Sequence, residues 1–367
     1  MPNNLCYQVF VWYEQVSSKF MTAYLRPELS SLTSYHLEAI ASNVIKLDAN
    51  ESPYDLPLEF KRQLGALVQQ DIASNIYPDG IYGALKQAIA DYTALSPEYI
   101  SLGNGSDELI RSLLVISCLG RGGILIAEPT FAMYGILAET LGIRVYRVGR
   151  NPHWQIDLDK AQAVVERENV AAVFVVHPNS PTGNLLNASE IAWLKSLPQR
   201  ILVVIDEAYY EFSRSSLISE IANFPNWVIL RTFSKGFRLA AYRIGYAIAS
   251  PAIISALEKV RLPYNLPTIS ARAAHLALEH SPELLAVIPE ILKGRDELYQ
   301  RLQDSEVQVW QSRANFVFCQ TADPATMAQR MRSQGVLIRH TGGGLRITVG
   351  TAEQMARFWS AWQRAGG

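Results

Sequence analysis

Apolar positions along the 367-residue chain fall into two regimes. Between about Tyr99 and Ala249 short continuous runs recur: ILIA at 124–127, AAVFVV at 171–176, ILVVID at 201–206, WVILRTF at 227–233 and RIGYAIA at 243–249. Segments with helical spacing separate them, among them SDELIRSLLVISCL (106–119), MYGILAETLG (133–142) and DLDKAQAVVERE (157–168). Runs this short, rich in β-branched residues and spaced by helices, predict strands buried on both faces of a mainly parallel sheet. The fold class is therefore α/β. From Pro251 the pattern changes to long helices (251–261, 268–280, 283–303), then the short strands VQVW, FVFC, GVLIR and LRITV, and a closing helix from Thr351. That change predicts a second, smaller α+β layer, which the N-terminal segment up to about Gln70 is placed to join.

Length and composition narrow the picture without changing it. At 367 residues the chain exceeds the size at which one core stops growing, so a large domain with a smaller companion is expected. It is 49% hydrophobic and 18% charged, with a formal net charge of -1, a balance that points to neither a nucleic-acid nor a membrane partner. Cys6, Cys118 and Cys319 form no disulfide framework and no metal-ligand spacing, which suits a reducing cytoplasm, and no metal site is expected. No apolar run reaches the roughly 18 residues of a membrane span. The first twenty residues, MPNNLCYQVFVWYEQVSSKF, lack the basic start and cleavage site of a signal peptide. Two readings of them stay open: a true start at Met21, or an N-terminal arm without a chemical role.

In doubly wound sheets ligands bind beyond the carboxyl ends of the strands, so the polar residues after each run are the ones to examine. Four junctions stand out: GNGSDE, HPNSPTG, DEAYYEF and TFSKGF, all expected on one edge. GNGSDELIRSLL is a glycine turn entering a helix, with Ser106 as N-cap candidate and Asp107 and Glu108 in the first turn; it reads either as a plain cap or as a phosphate-binding helix start. It is neither a Walker loop nor GxGxxG. Asp206 ends an apolar strand, where an isolated carboxylate is costly to desolvate, so it either caps a loop beside a packed Tyr209 or meets a cationic or N–H partner. Lys235 lies 29 positions further on, about one helix and one strand. It reads either as a lysine snorkelling from a surface turn or as a buried amine, whose lowered proton affinity gives the neutral nucleophile of Schiff-base chemistry. Arg243 and the hydroxyls of Thr232 and Ser234 suit a nearby phosphate.

Phosphate donors, a carboxylate, a tyrosine and an amine on adjacent sheet-edge loops are what pyridoxal phosphate (PLP) needs. The chain resembles the fold-type I PLP-dependent aminotransferases, and within that class the histidinol-phosphate aminotransferases. The resemblance rests on LTSY, LDANESPY, YPDG, GNGSDEL, EPTFAMY, PNSPTG, DEAYYEF, TFSKGFRLAAYRIGY and LRITVG, and it covers nearly everything after residue 24. It implies a large domain with a mostly parallel sheet between helices and a smaller α+β domain. The expected boundaries are an extension at 1–23, a segment at 24–71 that contributes to the small domain and to dimer contact, a large PLP-binding domain at 72–265 and a small domain at 266–367. It further implies that Lys235 joins the cofactor covalently and later moves the substrate proton, that Asp206 pairs with the ring nitrogen, and that Tyr209, helped by Asn179, hydrogen-bonds the phenolic oxygen. Phe131 would stack on the ring. Ser106, Asp107, Thr232, Ser234 and Arg243 would surround the phosphate, with Tyr77 reaching over from the second subunit of a homodimer.

At the substrate end the resemblance implies that Arg346, with Arg339, accepts the phosphate of histidinol phosphate and the carboxylates of glutamate or 2-oxoglutarate in turn. Tyr35 would reach the substrate phosphate from the other subunit, and Asn50, with Glu51, would line the entrance. Alternatively Arg339 is an exposed strand-end charge and Tyr35 packs on the dimer surface. Two departures stand out: the family's paired asparagines before PTG are Asn179 and Ser180 here, and HTGGG between the two arginines is short and glycine-rich. The implied reaction converts histidinol phosphate and 2-oxoglutarate into imidazole-acetol phosphate and glutamate, in histidine biosynthesis. An aromatic-amino-acid transaminase or a threonine-phosphate decarboxylase would share the cofactor site. A non-catalytic domain of the same fold is opposed by the complete set Asp206, Tyr209, Lys235 and Arg243, and a dehydrogenase by the missing GxGxxG.

Overall fold

The computed structural model describes Arg26, residues 44–305 and residues 307–367. Tyr35 and the expected extension at 1–23 lie outside the described residues. The strands in chain order are β1 Ile45–Leu47, β2 Ile100–Asn104, β3 Gly123–Ala127, β4 Val145–Val148, β5 Val170–Val176, β6 Leu202–Asp206, β7 Trp227–Thr232, β8 Ile244–Ala249, β9 Gln308–Trp310, β10 Phe316–Gln320, β11 Val336–Thr341 and β12 Gly344–Thr348. They form a seven-stranded sheet in the order β2-β8-β7-β6-β5-β3-β4 and a five-stranded sheet in the order β1-β11-β12-β10-β9.

In the larger sheet β4, β3, β5, β6 and β7 pair in parallel, and β8 runs antiparallel to both of its neighbours. Because β2 and β7 each oppose β8, β2 points the same way as the parallel strands. The α/β expectation is met, and all four polar junctions do open on one edge. Alternate residues of each central strand enter different cores. Ala172, Phe174, Leu202, Val204, Val228 and Leu230 pack on one face with the helix Ser106–Ser117. Val173, Val175, Val203, Ile205, Trp227 and Ile229 pack on the other with the helices Gly83–Thr93 and Thr268–Glu279. Residues buried on both faces explain why these runs read as continuous rather than alternating.

The smaller sheet takes its first strand from far upstream: β1 pairs in parallel with β11, Ile45 opposite Val336. The chain then crosses back through residues 48–53, over the edge where the four junctions open. The expected helix 283–303 is two helices, Ser281–Leu285 and Ile288–Asp304. Pro289, in the first turn of the second, cannot donate a backbone N–H to the first, so the break falls before it. The edge strand β4, VYRV, was not among the expected runs; two of its residues are half-buried and one exposed, so its apolar signal is diluted.

Candidate active site

Asp206 is the last residue of β6 and is buried. The Tyr134 hydroxyl donates to its Oδ2 at 2.7 Å, and the Ala208 N–H donates to Oδ1 at 3.0 Å. Burial pushes the carboxyl up to about 6; these two hydrogen bonds pull the other way, while Asp107 and Glu207 add to the upward push. The next residue, Glu207, is neutralised from β7: Arg231 donates to its Oε2 at 2.9 and 3.0 Å and lies 3.6 Å from the Tyr210 ring centre. Both partners are buried, so removing either would strand a charge at a cost of about 3–5 kcal/mol. This pair holds β6 and β7 in register behind Asp206.

Lys235 follows β7, half-buried, and its Nζ donates to the Ala49 carbonyl at 2.8 Å. Loss of water, then the nearby Arg346, bring the amine down to about 8; Glu51 pulls the other way, and Arg243 and Lys46 add smaller downward pushes. The surface-turn reading of this lysine is not what the structure has.

The helix Ser106–Ser117 starts beside it. Its N-cap is Gly105, at φ 75°, and Ser106 is the first helical residue, which corrects the expected cap. Glu108 reaches back to accept the Asn104 N–H, on the strand side of the cap. A Cβ at 105 would also stand 2.6 Å from Arg243 Nη2 and push that guanidinium off the helix start. Arg243, itself at φ 53°, donates to Ser234 Oγ and to Asp107 Oδ2, each at 3.3 Å. Thr232 Oγ1 accepts the Ser234 N–H at 3.1 Å and fixes that turn. Ser106, Asp107, Thr232, Ser234 and Arg243 are thus brought together around one helix start, with N–H groups and a guanidinium on the same spot.

Tyr209 is buried, its ring edge against Phe316 and its hydroxyl accepting from Asn50 Nδ2 at 2.9 Å. Asn50 was expected at the substrate entrance. Instead it is 1% exposed, at φ 53°, with its side chain and main chain tied to Tyr209, Thr348 and Asn315. Glu51 pairs with Lys46 at 2.6 Å. Asn179 is spent inside its own loops: Nδ2 donates to Pro129 O and Thr182 Oγ1, and Oδ1 accepts from Thr130 and Arg150. Its neighbour Ser180 turns to the substrate end, where Oγ accepts from Arg346 Nη1 at 3.0 Å. Arg346 also donates to the Asp48 carbonyl and sits opposite Arg339 in the register of β11 and β12. Phe131 is half-buried, edge-on to Tyr134 at 5.5 Å between ring centres. Tyr77 is apart from these groups, 78% exposed and stacked on Tyr264.

Two residues escaped the sequence reasoning. Tyr134 stands three positions after Phe131 in the same quoted motif, so i,i+3 spacing at a helix start could have pointed to it. Arg150, whose guanidinium ties Ala127 O, Pro129 O and Trp154 O to Asn179 Oδ1, carries no local signal. Ser180 is marked by its motif, but its partner lies 166 residues away.

The family described as aminotransferase class I and II matches residues 42–361. A histidinol-phosphate aminotransferase of Trichodesmium erythraeum is 50% identical over 92% of this chain and 98% of its own, and one of a Synechococcus species is 52% identical over 91% and 96%. Among solved structures, the histidinol-phosphate aminotransferase of Sinorhizobium meliloti in complex with pyridoxal-5'-phosphate superposes with a TM-score of 0.85 at 26% identity, covering 95% of this chain and 99% of its own. With its sheet order, its edge of four junctions and a family match across most of its length, the chain belongs to the class I and II aminotransferases.

Proposed function

We propose that the chain is a PLP-dependent transaminase that passes an amino group between histidinol phosphate and 2-oxoglutarate, yielding imidazole-acetol phosphate and glutamate, in histidine biosynthesis. The observation that carries this reading is the setting of Lys235: an amine brought down to about 8, on the same sheet edge as a buried carboxylate and an anion cradle. Relatives of that activity at 50–52% identity support the substrate.

The residues fit the cofactor on their own chemistry. The buried Asp206 has room in its electrostatics for one more hydrogen-bond donor, which a ring N–H supplies; the N–H groups of Ser106 and Asp107, with Ser234 and Arg243, suit a phosphate; Phe131 offers an aromatic face. When bound, PLP supplies an aldehyde that takes up amines and a protonated ring that draws off the electron pair left as the substrate proton departs. Lys235 holds and returns that proton at Nζ. Asp206, charged in the company of a ring cation, keeps the ring nitrogen protonated. Tyr209 donates to the phenolic oxygen.

At the substrate end Arg339 and Arg346 are register partners on β11 and β12. Planar, permanently charged Arg346 suits phosphate and carboxylate alike. A homodimer is supported by an exposed apolar patch, Ile76, Tyr77, Ile81 and Leu262, each at least 65% exposed, which a second copy would cover while Tyr77 reaches its phosphate site. No helix among the described residues is long and apolar enough to cross a membrane, in keeping with a cytoplasmic enzyme. Rates with histidinol phosphate, phenylalanine and threonine phosphate test the reading: histidinol phosphate should be preferred by at least about tenfold, and a clear preference for phenylalanine would overturn it.

A further inference from the structure

The segment Asp48–Glu51 crosses the mouth of the site and meets three groups with chemistry. Its Asp48 carbonyl accepts from Arg346, its Ala49 carbonyl from Lys235, and its Asn50 amide meets Tyr209. The Asn50 contact has a direction that can be worked out. The backbone N–H of Asn50 can only donate, and it donates to Thr348 Oγ1 at 3.0 Å. Thr348 is buried, and the acceptor within reach of its own hydrogen is Asn50 Oδ1, at 3.1 Å. Turning the amide over would put the NH2 group there and leave that hydroxyl hydrogen without an acceptor among the described residues. Oδ1 therefore faces Thr348, and Nδ2 faces Tyr209. An NH2 group only donates, so the Tyr209 oxygen accepts at 2.9 Å. The tyrosine's own hydrogen is left over. No described residue accepts it, although Tyr209 is 6% exposed.

We propose that Asn50 is a positioning residue: it occupies the acceptor side of the Tyr209 hydroxyl and so commits that hydroxyl's hydrogen to the phenolic oxygen of bound PLP. This rests on the cofactor reading above and adds a role to a residue that makes no substrate contact in it. The commitment matters more here because Asn179, the other donor expected at that oxygen, is engaged with Pro129 and Thr182. The left-handed backbone at Asn50, φ 53°, belongs to the same device, since asparagine tolerates that conformation and brings the amide with it.

The test is the pH midpoint of the visible absorbance of the PLP-loaded protein, read without turnover. A hydrogen bond to the phenolic oxygen favours the deprotonated form, so its loss raises the midpoint. Asn50→Asp keeps the shape and the backbone tolerance, and replaces the donor with an acceptor that recaptures the tyrosine hydrogen. It should raise the midpoint by about one pH unit, as Tyr209→Phe should, one hydrogen bond being worth about that much. The double variant should show no more than Tyr209→Phe alone. Thr348→Val, which removes the hydroxyl that orients the amide, should shift the midpoint the same way and serves if Asn50→Asp does not fold. An unchanged midpoint in the variant that folds, or full additivity of Asn50→Asp with Tyr209→Phe, overturns the proposal. A wild-type protein that takes up no PLP would instead sink the cofactor reading, so the two failures are distinct.

Discussion

Lys235 shows how far one side chain is changed by its place. With the ordinary lysine value of 10.5, about one amine in a thousand would be neutral at pH 7.5; at about 8, roughly a quarter are. The sign follows from the depression: the folded protein binds this proton less tightly than the unfolded chain, so neutral amine accumulates as pH rises through about 8 rather than above 10. Amine-selective labelling of the cofactor-free protein should therefore modify Lys235 with a midpoint near 8; a midpoint near the ordinary lysine value of 10.5 would refute the shift. Tyr134 gives a second prediction. Its hydroxyl stabilises the charged form of Asp206, so Tyr134→Phe should lower kcat by about tenfold, a lost hydrogen bond to a buried charge, while thermal stability changes little; an equal fall in PLP retention and rate would argue for a merely structural role. Lys235 and Asp206 could be found in the sequence because each directly follows an apolar run that announces its strand. Asn50 was legible as a site residue but its tie to Thr348, 298 residues off, was not, and Arg150, 29 residues from Asn179, carries no local signal; only folding brings these partners within reach.

Elements carry the anion cradle, and glycine decides its shape. The helix Ser106–Ser117 can present its N–H groups because Gly105 turns at φ 75° and leaves room for the Arg243 guanidinium. Gly105→Ala adds both backbone strain and a Cβ 2.6 Å from Arg243 Nη2, and should weaken PLP binding by about tenfold or more. Gly83→Ala, at a helix start with nothing within 4 Å of the added Cβ, should leave binding unchanged; comparable losses in the two variants, measured by PLP titration, would detach the cradle from Gly105. The strands of both sheets were readable wherever burial on two faces makes apolar runs continuous, as in β5 to β8. The short β1, IKL, was not, because its strand character comes from pairing with β11 nearly three hundred residues away and not from its own pattern.

At the scale of the molecule, a chain that starts its small sheet with β1, crosses the site at 48–53 and only then builds the large sheet ties the two halves together through the reactive groups. Neither half is expected to bind PLP alone. The exposed patch around Ile81 gives this scale its own prediction: Ile81→Arg should shift sedimentation from dimer to monomer and lower PLP retention by about tenfold, because Tyr77 of the second copy would no longer reach the phosphate; a monomeric variant with undiminished retention would separate assembly from the site. Borohydride reduction of the PLP-loaded protein followed by peptide mapping reads out whether one amine anchors the cofactor. One label per chain is expected, at Lys235; a label on another lysine, or none in protein that has taken up PLP, would overturn that role.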